Sequence, residues 1–343
     1  MNYCLYLLCF TQTWSVALGG DIMLNGVGVN KNPFAGIASV FKECDLVIAN
    51  LEVPLTNGLA RTPRKSAAEI AAKTQYALKA NPKHGNHLKE AGFHYLALGN
   101  NHTMDYTERG MNETMFVLKS MGILYGGAGK NIDDATQARF FYVKGTKIGV
   151  LSFLAFQSTS GRNKCMPATE TRAGVAILDF PGAVGKAQVK VLEEFVKKAK
   201  QECVFLIVYL HWGVERQTMP NAYQVTLGRA WIDAGADLVL GSHPHVLQGA
   251  EIYNGKPIVY SLGDLMHSRN KETTVLKLNY SGEDFNNIEF VPCVIKNQEL
   301  ILENLNQARA NLEQYKKLCQ GIKNKYPNKS SHLPNIRLYS RIK

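Results

Sequence analysis

The chain has 343 residues, 45% of them hydrophobic, which is enough to bury the core of one large domain or two ordinary ones and excludes disorder of the whole. Its net charge of +11 invites a polyanionic partner, yet residues 315–343 carry eight Lys or Arg and no Asp or Glu, leaving only +3 for everything before them. No zinc-finger spacing, aromatic RNP signature or glycine-rich phosphate loop is present, so no nucleic-acid partner is expected.

From the amino end, the apolar stretch 3–10 is too short to span a bilayer, and no Lys or Arg precedes it. Residues 13–19 read as a buried strand rather than as the end of a cleaved leader. Five further apolar runs follow: CDLVIANLE, FHYLALGNNH, CVFLIVYLHWG, ADLVLGSHPH and PIVYSLGD. Their length and their Val, Ile, Leu and Tyr content predict strands buried on both faces. Between them, apolar spacings of three and four predict helices over 34–44, 108–122, 182–201 and 222–235. The alternation predicts a layered α/β domain. Residues 57–90 interrupt it as a long excursion, whose Arg61, Arg64 and Lys65 are available to an anion. TTVLKLNY and NNIEFVPCVIKN predict two more strands. ELILENLNQARANLEQYKKLC predicts a closing helix with Leu300, Ile301, Leu305, Ala308 and Leu312 inward. The main domain is expected over 12–300 and a helix with a basic, solvated, partly mobile tail over 301–343. That tail offers contact to an anionic membrane surface or polymer.

Seven cysteines, at 4, 9, 44, 165, 203, 293 and 319, contain no C-x-x-C pair and make no disulfide framework.

Each apolar run ends in polar residues: Asp21; Asn50 and Glu52; Asn100, Asn101 and His102; His211; His243 and His245; Asp264. In α/β sheets the ligand site lies outside the carboxyl ends of the strands, so these groups are expected to converge. Pro244 disfavours helical geometry at His243, and an extended backbone would turn His243 and His245 to one side. Carboxylates, imidazoles and an amide carbonyl without thiolates suit Mn, Fe, Zn or Co, and a bridging carboxylate can hold two such ions for hydrolysis.

The blocks GGDIML, NLEVPLT, LGNNHTMDYTERG, HWGVE, DLVLGSHPHVLQG and IVYSLGDLM, in this order over about residues 15–268, resemble the CapA capsule-synthesis family, which is associated with poly-gamma-glutamate and similar to calcineurin-like metallophosphoesterases. The resemblance implies a four-layer α/β/β/α sandwich with a two-metal centre of Mn, Fe or Zn. It implies Asp21 and His245 at one ion, Asn101, His211 and His243 at the other, and Glu52 where the phosphoesterases place a bridging aspartate. His102 would face the substrate as general acid or charge partner, oriented by Asp105, and Glu215 would lie at the edge of the site. Two departures bear on this. Met23 stands where the phosphoesterases have a histidine, which puts the second ion in doubt, and Asp264 stands where the capsule family reads Asn; Asp264 is grouped with Arg61, Arg64, Lys65 and Glu215 as substrate-facing.

The expected function is a metal-dependent phosphoesterase-type hydrolase used in making, cutting or exporting a capsule polymer. Its alternatives are a non-catalytic polymer-binding or assembly component, or a general metallophosphoesterase with no capsule role. The substrate is an anionic polymer or a phosphoester, and the resemblance suggests the cell envelope.

Overall fold

The computed structural model describes residues 13–156, 164–179, 184–281 and 285–342. The apolar stretch 3–10, Cys4, Cys9 and the start of the helix expected from residue 182 lie outside these residues.

All six apolar runs are strands. Thr13–Ile22, Leu46–Leu51, Tyr95–Ala97 and Leu124–Gly126 run parallel on one side of a nine-stranded sheet, and Lys271–Ser281, Phe285–Lys296 and Glu299–Leu302 continue it antiparallel on the other. The second, eight-stranded sheet centres on Thr146–Phe156, Phe205–Trp212, Leu238–Ser242 and Lys256–Leu262, all parallel neighbours. Thr146–Phe156 and its edge partner Arg139–Val143 were not among the expected strands.

Period-two alternation sorts each strand's side chains into layers. Val16, Leu18, Leu46 and Ile48 of the first sheet share a buried cluster with Ile207, Tyr209, Leu238 and Leu240 of the second. The intervening Ala17, Val47 and Ala49 pack instead with Phe34, Phe41, Leu88, Met111 and Leu118 from the helical side. Leu206, Val208, Leu210 and Val239 pack with Leu192, Val196, Leu227 and Trp231. The sheets are therefore buried on both faces, and the layers run α/β/β/α.

The helices expected over 108–122 and 222–235 form as Thr107–Ser120 and Ala222–Asp233, and that over 182–201 is helical over Lys186–Lys200. The one expected over 34–44 shortens to Ala38–Lys42. The excursion 57–90 contains the helix Ala67–Ala71, opened by a Ser66–Glu69 capping box, and all but the last residue of a second, His84–Ala91.

The carboxyl end departs most from expectation. Leu300 and Ile301 lie on a strand, not a helix, because Asn297 and Gln298 both take positive φ, +52° and +61°, in a two-residue hairpin turn that returns the chain onto Phe285–Lys296. The helix starts only at Leu305, where the Asn304 side chain accepts from Gln307 N. It closes the open edge of the sandwich: Leu312, Tyr315 and Cys319 are buried in the layer between the sheets. The tail is not a loose end. Ser331–His332 pairs with Leu247–Tyr253, and Ile336–Leu338 adds to Phe285–Lys296. Cys44, Cys165, Cys203, Cys293 and Cys319 are buried, and no helix among the described residues is long and apolar enough to cross a membrane.

Candidate metal centre

Register brings the polar strand ends together. Asp21 is level with Asn50 on one neighbour and with Asp264 on the other, and His211 is level with Ser242. After Lys256–Leu262 of the second sheet the chain crosses to the first at Gly263, whose φ of +63° suits glycine. A side chain on Gly20 would meet the Gly263 carbonyl oxygen at 1.9 Å, so the pairing of Asp21 and Asp264 requires glycine there. Asp21 N donates to that same carbonyl at 2.8 Å.

His243 and His245 reach the centre by a different backbone from the one expected. Their φ angles are +97° and +57°, left-handed rather than extended. Pro244 restricts its predecessor against the right-handed helical region and leaves other conformations to the surroundings. Non-glycine residues at positive φ persist where the fold over-determines them, commonly at functional sites. Here the His243 N–H donates to Asp21 Oδ2 at 2.9 Å, which fixes the turn.

The donor atoms fall into three overlapping sets, each spanning no more than 4.8 Å: Asp21, Glu52 and His211; Glu52, His243 and His245; Asp21, His245 and Asp264. Asn101 Oδ1 lies 2.8 Å from His211 Nε2, and His243 Nδ1 lies 3.1 Å from the same nitrogen. Asp264 thus belongs to the metal-competent cluster, 2.7 Å from His245 Nδ1, rather than to the cleft wall. Glu52 is fully buried, and neither carboxylate oxygen has a hydrogen-bond partner. Leaving a buried carboxylate unpaired costs several kcal/mol, at least about 3. His211 at 3.3 Å and His245 at 3.9 Å offset part of that cost, and the rest is what a cation would relieve.

Burial alone would raise the Asp21 carboxyl, but His211 and His245 beside it and the His243 N–H hold it well below the usual range. Burial would lower His211 and His245, yet Glu52 and its fellow carboxylates hold them up at about 9 and about 10. His243, buried against two other imidazoles, is pushed well down. Divalent cations take the place of such protons, since imidazole ligates only when neutral.

Beside the cluster, His102 donates from Nδ1 to Asp105 Oδ2 at 2.7 Å, which leaves Nε2 facing the centre, 3.9 Å from Glu52. Asp105 is the hub of this corner: its other oxygen takes the Lys65 ammonium, and Oδ2 also accepts from Leu78 N at 2.6 Å. Lys65 is buried and donates further to the carbonyls of Tyr76 and Asn101. It is therefore not the free base expected for an anion. Arg61 and Arg64 are exposed and do not line the cleft over the centre. That cleft, of about 1140 Å³, has Asn101, His102 and His243 on its floor, and Lys73, Tyr76 and Glu215 among its walls.

Several residues had no assigned role in the sequence. Asn50 Nδ2 donates to Asp21 Oδ1 at 2.7 Å, and Asn100 Nδ2 in turn donates to Asn50 Oδ1 at 3.0 Å while Asn100 Oδ1 receives the His102 N–H. Both amides stand in strand-end runs that signal the site, so their placement was visible although their partners were not. Phe156 packs edge-on against His243, with ring centroids 4.8 Å apart. Lys271, 2.5 Å from Asp264 Oδ2, gave no sequence signal.

A family model described as bacterial capsule synthesis protein PGA_cap matches residues 15–269. The chain is 29% identical over 291 residues to the PGA biosynthesis protein CapA of Bacillus subtilis (strain 168), covering 81% of this chain and 70% of that one. It is 28% identical over 300 residues to the capsule biosynthesis protein CapA of Bacillus anthracis, covering 84% and 68%. A crystal structure of a novel phosphatase from Mycoplasma pneumoniae aligns with a TM-score of 0.49 at 15% identity, over 83% of this chain and 94% of that one, a likeness too slight to bear on activity.

Proposed function

The chain belongs to the bacterial capsule synthesis protein PGA_cap family, and from that premise we propose that it is a metal-dependent hydrolase of phosphoesterase type, acting on an anionic phosphoester or on the capsule polymer itself. The observation that carries the reading is the Glu52 carboxylate, fully buried with neither oxygen hydrogen-bonded and ringed by His211, His243 and His245. The mixed oxygen and imidazole donors fit Mn, Fe or Zn, with Asp21, Glu52, Asn101, His211, His243 and His245 as the residues that would hold it. When bound, a divalent ion supplies Lewis acidity to the scissile group and to water.

The protein's own groups do the rest. Asn50 and the His243 N–H orient Asp21, and Asn100 fixes Asn50. Asp105 holds the Nδ1 proton of His102 and so turns Nε2 toward the cleft floor, where the ring can pass a proton to a leaving group. Lys65 fixes Asp105 and ties the excursion 57–90 to the site loop. Phe156 packs against His243 and covers one side of it. In the same proposal, exposed bases of the tail such as Lys317, Lys323 and Lys329 meet an anionic polymer or membrane surface.

The test is turnover by purified chain with Mn²⁺ against aryl phosphates and polyglutamate. Hydrolysis of either class is expected, with His102→Ala reducing kcat by about 10² to 10⁴. Absence of turnover together with retained polymer binding in His102→Ala would establish a non-catalytic binding component instead. Turnover of aryl phosphates alone would favour a general phosphoesterase.

A further inference from the structure

The two halves of the centre differ in charge, and the difference lies in Lys271. On one side Asp21, Glu52 and His211 form a compact donor set, with Asn101 Oδ1 beside His211. Among the described residues no Lys ammonium pairs with the Asp21 or Glu52 carboxylate. On the other side Asp21, His245 and Asp264 form a comparable set. There the Lys271 ammonium lies 2.5 Å from Asp264 Oδ2 and also donates to the His245 carbonyl. The remaining Asp264 oxygen accepts from His245 Nδ1 at 2.7 Å. Asp264 is thus already paired with a cation and a proton donor before any metal arrives. Two residues after Asp21 stands Met23, whose thioether is a poor ligand for a hard divalent ion. A divalent ion on Asp264 would face an ammonium across a single carboxylate, in a partly buried setting where like charges are screened less than in open solvent.

We propose that the chain holds one divalent ion tightly, at Asp21, Glu52 and His211 with Asn101, and that the Lys271 ammonium takes the place of a second cation. In that role Lys271 keeps Asp264 and the His245 loop in place and supplies a fixed positive charge that does not depend on metal supply. The inference rests on the metal-centre reading above and deepens it.

The test needs no activity. Full-length protein is titrated with Mn²⁺ by equilibrium dialysis, and its electron paramagnetic resonance spectrum is recorded. The wild type is expected to take up one ion per chain with the resolved hyperfine pattern of an isolated Mn²⁺. Lys271→Met combined with Met23→His is expected to bind a second ion at least about tenfold more tightly than the wild type does, with a spectrum broadened by coupling between neighbouring ions. Two ions of similar affinity in the wild type would overturn the inference, and so would a folded double variant that still binds only one. These outcomes leave the metal-centre reading standing, whereas a wild type that binds no ion overturns that reading itself. The wild-type stoichiometry decides the matter even if the variant fails to fold.

Discussion

The corner formed by Lys65, Asp105 and His102 shows how one residue changes meaning once its neighbours are known. In the sequence, Lys65 follows Arg61 and Arg64 and reads as part of a basic patch; in the structure its side chain is 3% exposed and its charge is spent on Asp105. Nothing local separates the three bases, since which of them faces inward depends on the fold of a 34-residue excursion. Removing the cation leaves Asp105 buried beside it, so Lys65→Met is expected to lower stability by about 3 kcal/mol, measured by urea unfolding. An unchanged midpoint would contradict the pairing. The imidazoles give a pH signature in metal-free protein. His211 and His245 are held up at about 9 and about 10 against an ordinary 6.5. A histidine raised in this way contributes stability that is complete below about pH 6.5 and lost as pH climbs through its folded value. Chelated protein should therefore lose on the order of a few kcal/mol between pH 7 and 10. Metal-loaded protein should lose less over the same range, because a ligating His211 is neutral throughout and its share of the curve is removed. Thermal unfolding with and without chelator measures the difference.

At the scale of elements, the site is a consequence of register. Six strands were legible because each is an apolar run that ends in a polar group, and the convergence of those ends follows from strands being parallel neighbours. Thr146–Phe156 escaped notice because its end carries Phe156, a side chain that closes the site without marking it. The histidine loop was legible as a ligand pair but not in its geometry, since a preceding-proline rule removes one conformation and does not choose among the rest. The strand at 299–302 was hidden behind helix-like spacing, and only the turn at Asn297 and Gln298 separates it from the helix that follows. The approach of the two sheets at Gly20 gives a direct test. Gly20→Ala places a carbon 1.9 Å from the Gly263 carbonyl oxygen and should cost about 3 kcal/mol or more while weakening metal binding. Gly28→Ala, whose added carbon would find nothing nearer than 3.8 Å, is the control. Equal effects of the two in denaturant titration would contradict the account.

For the whole molecule, the two sheets and their outer helices form a buried frame, and the carboxyl-terminal helix with its short strands closes the edge that the frame leaves open. Family membership accounts for residues 15–269, and the elements beyond them complete the same core rather than forming a separate appendage. The frame holds a fully buried glutamate whose oxygens accept no hydrogen bond and are only partly offset by His211 and His245, an arrangement that a stable fold maintains only with something further to set against it. The most direct measurement of that claim is the metal content of purified protein after dialysis against trace Mn²⁺, for wild type, Glu52→Gln and His243→Ala. The account predicts bound ion in the wild type, loss of affinity by about 10-fold or more in His243→Ala, and little or none in Glu52→Gln. A folded wild type free of metal, or a Glu52→Gln variant that binds as tightly as the wild type, would contradict it.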